Sequence, residues 1–107
     1  MIVIFKYIFP EPFNGLAIYP FIFLKGNDLK NNKVILNHEK IHLQQQKELL
    51  WVFFFLWYFI EFFVKLIKYQ NRNKAYKNIS FEKEAYKNEN NLIYLTNRNF
   101  YTFLKYL

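Results

Sequence analysis

The feature that most constrains the fold is an apolar run in the middle of the chain, residues 49–67. Its first twelve residues read LLWVFFFLWYFI and include no charged or amide side chain. A helix that is hydrophobic on every side is either fully buried or faces lipid. The nineteen residues of the run also fall within the length range of a transmembrane helix. The chain must therefore either build its core around this helix or bring the helix to a membrane.

Glycine and proline are confined to the N-terminal quarter of the sequence. Both glycines and all three prolines lie within the first 26 residues, and no strong helix breaker follows them. A chain of 107 residues is long enough for one domain, so we expect residues 1–107 to form a single unit. The predicted class is mainly α (α+β). A short β-ribbon in residues 1–26 precedes three or more helices, predicted at residues 30–48, 49–69 and 80–97, and the central one is strongly apolar and aromatic.

Local signals place the expected elements more closely. Residues 2–9 (IVIFKYIF) and 16–24 (LAIYPFIFL) have strand composition, and residues 10–15 (PEPFNG) have turn composition. Because Pro20 cannot donate a backbone hydrogen bond, it predicts an edge or bulged position for the second strand. Asn27 and Asp28 offer an N-cap for the first helix, and Ser80 offers one for the last.

The sequence His38-Glu39-Lys40-Ile41-His42 has the H-E-x-x-H pattern on a segment with helical periodicity. Side chains four residues apart lie on one face of a helix, so His38 and His42 can bind one cation together. Glu39 projects beside them, where a carboxylate can take a proton from an activated water. With two histidines and seven glutamates in the chain, this arrangement arises by chance with a probability of roughly one in eight hundred. The motif therefore predicts a metal site that uses both histidines.

A catalytic zinc usually has three protein ligands, and the chain has no cysteine and no third histidine. The third ligand must then be acidic, and the downstream candidates are Glu48, Glu61, Glu82, Glu84 and Glu89. Glu48 is too close on the same helix, and Glu61, inside the apolar run, is equally well explained as a hydrogen-bonded carboxyl. On a helical wheel, Glu82 lies about 55° from the centre of the buried face of the last helix, and Glu84 lies about 105° away. Glu82 is therefore the predicted ligand, and Glu89, which also faces inward, is a candidate partner for a ligating histidine.

This combination of motifs resembles the gluzincins, and more narrowly the BlaR-type and TonB-linked membrane metallopeptidases. In those proteins a Pro-Phe strand precedes an H-E-K-x-H helix, a Trp-rich apolar segment follows, and an E-x-x-A-D motif supplies the third ligand. The matching pieces here are Pro20 with residues 21–23, the H-E-K-I-H motif, residues 55–58, and Glu82 with Ala85. By its length the chain is also similar to the soluble minigluzincins, which amount to the catalytic core of such enzymes.

The resemblance implies a zincin-like fold that binds Zn²⁺ through His38, His42 and Glu82, with Glu39 as the catalytic residue. One position departs from the pattern, because Tyr86 stands where the family has an acid that helps to hold a ligating histidine.

The metal hypothesis also constrains the topology. A straight transmembrane helix over residues 49–67 would separate His42 from Glu82 by about 30 Å, which excludes a shared ion. We therefore expect the histidine helix to end at residues 48–50 and the aromatic helix to pack antiparallel on it. Its surplus apolar surface would then meet a membrane surface or a hydrophobic partner. The basic stretch at residues 68–77 favours the cytoplasmic side, so the expected location is the cytoplasmic face of a membrane or the cytoplasm.

The leading functional hypothesis is a zinc metallopeptidase acting on a peptide or protein substrate, with the strand at residues 16–24 pairing to the substrate. Tyr86 and Arg98 are the candidates for stabilising an oxyanion. One alternative is a zinc-binding protein, membrane-associated or structural, that performs no hydrolysis; another is a small basic membrane protein with an accidental motif. Nucleic-acid binding would suit the net charge of +7, but the aromatic residues form one apolar run instead of alternating with lysine, which argues against it.

Overall fold

The computed structural model describes residues 2–5 and 14–107, and divides them into a small sheet and a larger helical part. The strands are β1 (Ile2–Ile4), β2 (Gly15–Ile18) and β3 (Phe21–Leu24). The helices are α1 (Lys33–Glu48), α2 (Val52–Tyr69), α3 (Arg72–Lys77), α4 (Ser80–Asn88) and α5 (Tyr94–Asn97), with 3₁₀ helices at Asn27–Asn31 and Thr102–Tyr106. The predicted class, mainly α (α+β) with an N-terminal β region, is confirmed.

The sheet has the order β1-β3-β2, with β1 parallel and β2 antiparallel to β3. The prediction of one strand over residues 16–24 is wrong, because Tyr19 and Pro20 form a tight turn that divides this segment into the hairpin β2–β3. Pro20 thus lies in the turn and not inside a strand, although β2, the first half of the segment, is an edge strand of the described sheet as predicted. Strand β1 pairs with β3 in parallel, whereas the two strands of a simple ribbon joined by a tight turn are antiparallel. Residues 6–13, with most of the predicted turn, lie outside the described part of the chain.

Helix α1 begins three residues later than predicted. Its N-cap is Asn32, whose side-chain oxygen accepts hydrogen bonds from the backbone N–H groups of Val34 and Ile35, both at 3.1 Å. The predicted cap at Asn27 and Asp28 is wrong, since both residues belong to the preceding 3₁₀ helix. The helix ends at Glu48, as expected, and its inner side carries Ile41, which is fully buried.

A sharp turn separates α1 from α2, which therefore begins at Val52 and not at residue 49. Leu50 and Trp51 both have positive φ, at 54° and 41°, and the backbone N–H of Trp51 bonds to the carbonyl of Gln46 at 2.7 Å. The two helices are bent by 112° relative to each other. The chain thus turns back as expected, but the predicted antiparallel packing is wrong. Among the described residues, no single helix is both long and apolar enough to cross a membrane, and only the bent pair of α1 and α2 passes such a test together.

One side of α2 packs on the core. Phe54 is buried together with Ile79, Phe81 and Phe103, and the rings of Phe54 and Phe81 are 4.4 Å apart. The opposite side is exposed, and we call it the apolar face of α2. Its eight residues, each between 55 and 74% exposed, are Val52, Phe53, Leu56, Phe59, Ile60, Phe63, Val64 and Ile67.

Helix α4 begins at Ser80, but Ser80 is not its N-cap as predicted; that position belongs to Ile79. The carboxylate of Glu61, from α2, accepts hydrogen bonds from the backbone N–H of Ser80 at 2.5 Å and from its hydroxyl at 2.6 Å. Glu61 also accepts from the indole N–H of Trp57 at 3.1 Å. The role of Glu61, left open by the sequence, is therefore to cap α4 from a neighbouring helix.

The predicted helix over residues 80–97 is too long, because α4 ends at Asn88 and α5 is a separate short helix. The side-chain amide of Asn37, on α1, donates to the carbonyls of Asn88, Glu89 and Asn91 at 2.9–3.3 Å. These bonds satisfy carbonyls that lose their helical partners where α4 ends. The basic stretch at residues 68–77 is also helical over most of its length, since it holds the end of α2 and all of α3.

Candidate metal centre

Three buried donor atoms from two helices converge at one point. His38 and His42 lie one turn apart on α1, and Glu82 lies in the first turn of α4. The Nε2 atoms of the two histidines are 3.2 Å apart, and Oε1 of Glu82 lies 3.3 Å from His38 Nε2 and 3.0 Å from His42 Nε2. The structure therefore brings together all three predicted metal ligands.

The spacing of these atoms suits a small cation. Ligand atoms at about 2.0–2.1 Å from a tetrahedral zinc are separated from one another by about 3.3 Å, close to the separations of 3.0–3.3 Å that the three donors show. Two imidazoles and a carboxylate also form a donor set that divalent metals of this class accept. His38, His42 and Glu82 thus form a buried group that could hold a metal ion.

A hydrogen bond on the far side of the His42 ring determines which of its nitrogens faces the centre. Nδ1 of His42 lies 2.8 Å from Oε1 of Gln45, whose amide nitrogen donates to Glu84 Oε1 at 2.9 Å and to the carbonyl of Phe81 at 3.2 Å. Since both of those partners are acceptors, the amide oxygen of Gln45 faces His42, and Nδ1 of His42 carries the proton.

His38 has the carboxylate of Glu89 on the far side of its ring. Nδ1 of His38 lies 3.5 Å from Oε1 of Glu89, the residue predicted as a partner for a histidine. In both rings the Nε2 atom faces the same carboxylate oxygen of Glu82. Three such acceptor atoms repel one another unless a positive charge lies between them, either a proton or a metal ion.

A buried ionic network extends from Gln45 away from the centre. Glu84 and Glu48, on α4 and α1, both bind the guanidinium of Arg98. The side chains of Arg98, Glu48 and Glu84 are almost completely buried. Glu84 also accepts from Tyr94 at 2.6 Å, and although burial raises the pKa of Glu84, the hydrogen bonds from Arg98 and Tyr94 outweigh burial and lower it. The prediction of Arg98 as an oxyanion stabiliser is wrong, because its guanidinium is held inside this network.

The protonation of the centre follows from its burial and its charges. Burial alone lowers the pKa of His42, but the charge and hydrogen bond of Glu82 outweigh burial and raise this pKa to about 9. Burial also opposes ionisation of Glu82, yet the charge of His42 and the hydrogen bonds from both histidines hold the pKa of Glu82 far below its usual range. In the protein without a metal, a proton on His42 thus supplies the positive charge that the three atoms require.

Glu39 lies beside the three ligands, in the position predicted for a general base. It is buried, and a Cβ atom added to Gly15 of β2 would meet its Oε2 at 3.0 Å. Burial raises the pKa of Glu39, and the charges of His42 and His38 counteract part of that rise. Glu39 therefore fits closely under β2, where the absence of a side chain at position 15 makes room for its carboxylate.

These groups line one cavity of about 340 Å³. It is lined by the three ligands and Glu39, by residues 15–17 of β2, and by mainly aromatic side chains of α2 and α3. Because β2 pairs only with β3, its other side is a free edge of the described sheet near the cavity. The side chain of Gln46 takes up part of that edge, donating to the carbonyl of Ala17 at 2.7 Å and accepting from the N–H of Tyr19 at 2.6 Å.

Sequence reasoning missed two residues that touch the ligands, Gln45 and Tyr58. The hydroxyl of Tyr58 donates to Oε2 of Glu82 at 2.7 Å, which leaves Oε1 to face the histidines. Gln45 follows His42 by one helical turn, a spacing that could have suggested contact, whereas no local signal connects Tyr58 with Glu82. Tyr86, the residue in place of the family's acid, packs its ring on His38 at 4.5 Å, and its hydroxyl lies 3.1 Å from that of Tyr76.

Comparison of the chain with protein-family models, with curated proteins and with solved structures finds no match. The resemblance to gluzincins is therefore supported only by the motifs of the sequence itself.

Proposed function

We propose that this chain is a zinc-dependent metallopeptidase, and that it hydrolyses peptide bonds with a water molecule activated beside Glu39. The observation that supports the proposal is the cavity itself, because it brings two imidazoles, two carboxylates and a strand edge together. A metal-ligand group alone would suit a structural site equally well. The additional buried carboxylate, beside the ligands but not among them, favours hydrolysis.

Zinc is the proposed ion because two histidines and one carboxylate are a ligand set of catalytic zinc sites. His38, His42 and Glu82 would hold it, and the ion would act as a Lewis acid that polarises the substrate carbonyl and lowers the pKa of water.

The chain's own residues would perform the remaining steps. Glu39 takes a proton from the attacking water, the water oxygen forms a bond to the carbonyl carbon, and Glu39 returns the proton to the leaving amine as the C–N bond breaks. Burial raises the pKa of Glu39, which favours a carboxylate that accepts a proton and later returns it. The hydroxyls of Tyr76 and Tyr86 are candidates for stabilising the oxyanion, since Tyr76 lines the cavity and pairs with Tyr86.

The substrate would be an extended peptide segment. The edge of β2 next to Gly15 lies at the cavity and can pair with a peptide backbone by strand addition. Gln46 already binds the edge at Ala17 and Tyr19, so the pairing would be restricted to the end nearer Glu39.

Two measurements on the purified protein test the proposal: zinc content and hydrolysis of fluorescently labelled casein. We expect the wild type to bind one zinc and to cleave casein. His42→Ala should lose both properties, since two remaining ligands rarely hold a metal. Glu39→Gln is the matched control, because it keeps the side-chain volume; it should retain zinc while the cleavage rate falls by about 10²–10⁴-fold.

The alternatives give different results in the same assays. Zinc binding without any cleavage would contradict the peptidase and support the zinc-binding protein that performs no hydrolysis. Failure to bind zinc would make the H-E-x-x-H sequence accidental. If Glu39→Gln lost the metal as completely as His42→Ala, the role assigned to Glu39 would be wrong.

A further inference from the structure

We propose that the apolar face of α2 binds the surface of a lipid bilayer that contains anionic lipids. The eight side chains of this face recur at intervals of three and four residues over the length of the helix, which places them on one side of it. Soluble monomers rarely expose a contiguous apolar patch of more than a few hundred Å². The eight large side chains of this face are each more than half exposed, so together they form an apolar patch larger than that.

The packing of the rest of α2 determines how it can meet a bilayer. Its opposite side holds Phe54 against Phe81 and carries Glu61, which caps α4. Lipid therefore cannot surround this helix without dismantling the core. The helix would lie in the plane of the interface with one face inserted, as amphipathic interfacial helices do.

The distribution of charge favours an anionic partner. The sequence has eight acidic residues, and among those that the structure describes five are buried, namely Glu39, Glu48, Glu61, Glu82 and Glu84. Of the acids in residues 2–5 and 14–107, only Asp28 is exposed and Glu89 is partly exposed, whereas ten lysines and arginines in the same residues are exposed. The surface is consequently more basic than the net charge of +7 suggests, and each Lys or Arg near an anionic membrane contributes about 1 kcal/mol of attraction.

Basic and aromatic side chains also border the apolar face. Lys65 lines a groove together with Ile60 and Val64, and Lys68 directly follows Ile67. A long lysine side chain can cover apolar surface while its ammonium group reaches the lipid headgroups. Trp51, which is 48% exposed, precedes the helix, and tryptophan is favoured at the level of the headgroups.

The same charges disfavour a second copy of the chain as the occupant. Two copies joined through this face would bring two cationic surfaces together, and the described surface offers few carboxylates to pair with them. Phe59 belongs to the apolar face and also lines the cavity of the metal centre, so binding at this face would hold the cavity next to the bilayer.

The test is co-sedimentation of the full chain with vesicles of phosphatidylcholine, with and without phosphatidylserine. We expect binding to the vesicles that contain phosphatidylserine, and weaker binding as salt is raised. The double variant Phe63→Asp/Ile67→Asp should bind at least about tenfold more weakly, because it removes two inserted side chains and adds two negative charges. Both positions are exposed, at 60 and 74%, so the fold should tolerate the change.

The matched control is the double variant Leu92→Asp/Ile93→Asp, which adds the same two negative charges at positions that are 52 and 64% exposed but lie outside α2. It should bind vesicles as the wild type does. Equal binding by the α2 double variant and the wild type would overturn the proposal, as would absence of wild-type binding. A stable dimer of the wild type in solution that the α2 double variant dissociates would show that a second copy covers the face, and would also overturn it.

Discussion

Gln45 connects the candidate ligand His42 with the buried ionic network of Glu84, Arg98 and Glu48. Its amide can serve both sides at once because it has an acceptor at one atom and donors at the other. The network thereby fixes the orientation of Gln45, and Gln45 fixes which nitrogen of His42 is free to bind a metal. A residue that never touches the ion would thus influence how tightly the ion is held.

We expect Gln45→Leu to weaken zinc affinity by about 10–100-fold, because His42 loses the acceptor that orients its ring. Competition with a chelating dye measures this affinity. Gln44→Leu is the matched control; Gln44 is partly exposed, and its amide donates to Glu48 instead of meeting a ligand. Equal affinities of the two variants would contradict the role of Gln45.

Some residues of this centre could be predicted from the sequence, and others could not. His38 and His42 follow from helix geometry alone, because side chains four residues apart share one face of a helix. The helical wheel selects Glu82, which does lie beside the two histidines, but it places Glu84 off the buried face, whereas Glu84 is fully buried in the ionic network. Tyr58 and Gly15 could not be found in this way. Their contacts with Glu82 and Glu39 join residues 24 positions apart in each case, and depend on how α2 and β2 pack.

Helix α4 is positioned by neighbours at both of its ends. Glu61 of α2 accepts from the backbone N–H and the hydroxyl of Ser80, the first residue of α4, and Asn37 of α1 binds carbonyls at and beyond its last residue. Glu82 lies in the first turn, so the cap also fixes where the ligand carboxylate stands relative to the two histidines. A buried acid in the apolar run thus has a structural explanation that is independent of any metal.

We expect Glu61→Gln to lower the free energy of unfolding by about 1–3 kcal/mol, because an amide cannot accept from all three donors and loses the favourable charge at a helix N-terminus. Urea denaturation followed by circular dichroism measures the change. Asp28→Asn, at an exposed acid, is the control and should stay within about 0.5 kcal/mol of the wild type. A loss of stability as small in Glu61→Gln as in the control would show that the cap is unimportant.

Most helix positions could be predicted from the sequence, whereas several helix boundaries could not. The sequence predicted the helices that carry the three ligands and Glu39, but it missed α3, which lines the cavity through Tyr76, and the helix boundaries depend on local chemistry that composition does not show. The turn at Leu50 and Trp51 uses two positive φ values without glycine, a conformation that L-residues rarely adopt and that only surrounding structure can impose. The end of α4 at Asn88 likewise depends on Asn37, which is distant in sequence.

For the molecule as a whole, zinc binding should be coupled to stability. A ligand that binds only the folded state at a concentration of about 100 times its Kd adds about 2.7 kcal/mol to the free energy of unfolding. We expect zinc to raise the unfolding temperature by several degrees, which scanning fluorimetry can measure. Magnesium should have no such effect, because it prefers oxygen ligands to imidazoles.

Glu82→Ala is the control for this effect, since it leaves both histidines in place but removes the ligand on α4. Its unfolding temperature should not respond to zinc. A response equal to that of the wild type would mean that zinc binds elsewhere on the chain.

The distance in sequence between the ligands has a further consequence. His42 and Glu82 are 40 residues apart, and this interval includes all of α2 and α3. An ion held by both would close a loop in the unfolded chain, much as a disulfide bridge does, and a covalent crosslink across such a loop contributes about 4 kcal/mol by restricting the unfolded state. The chain has no cysteine with which to form such a crosslink. A crosslink made by a metal would survive reducing agents and would be opened by chelators.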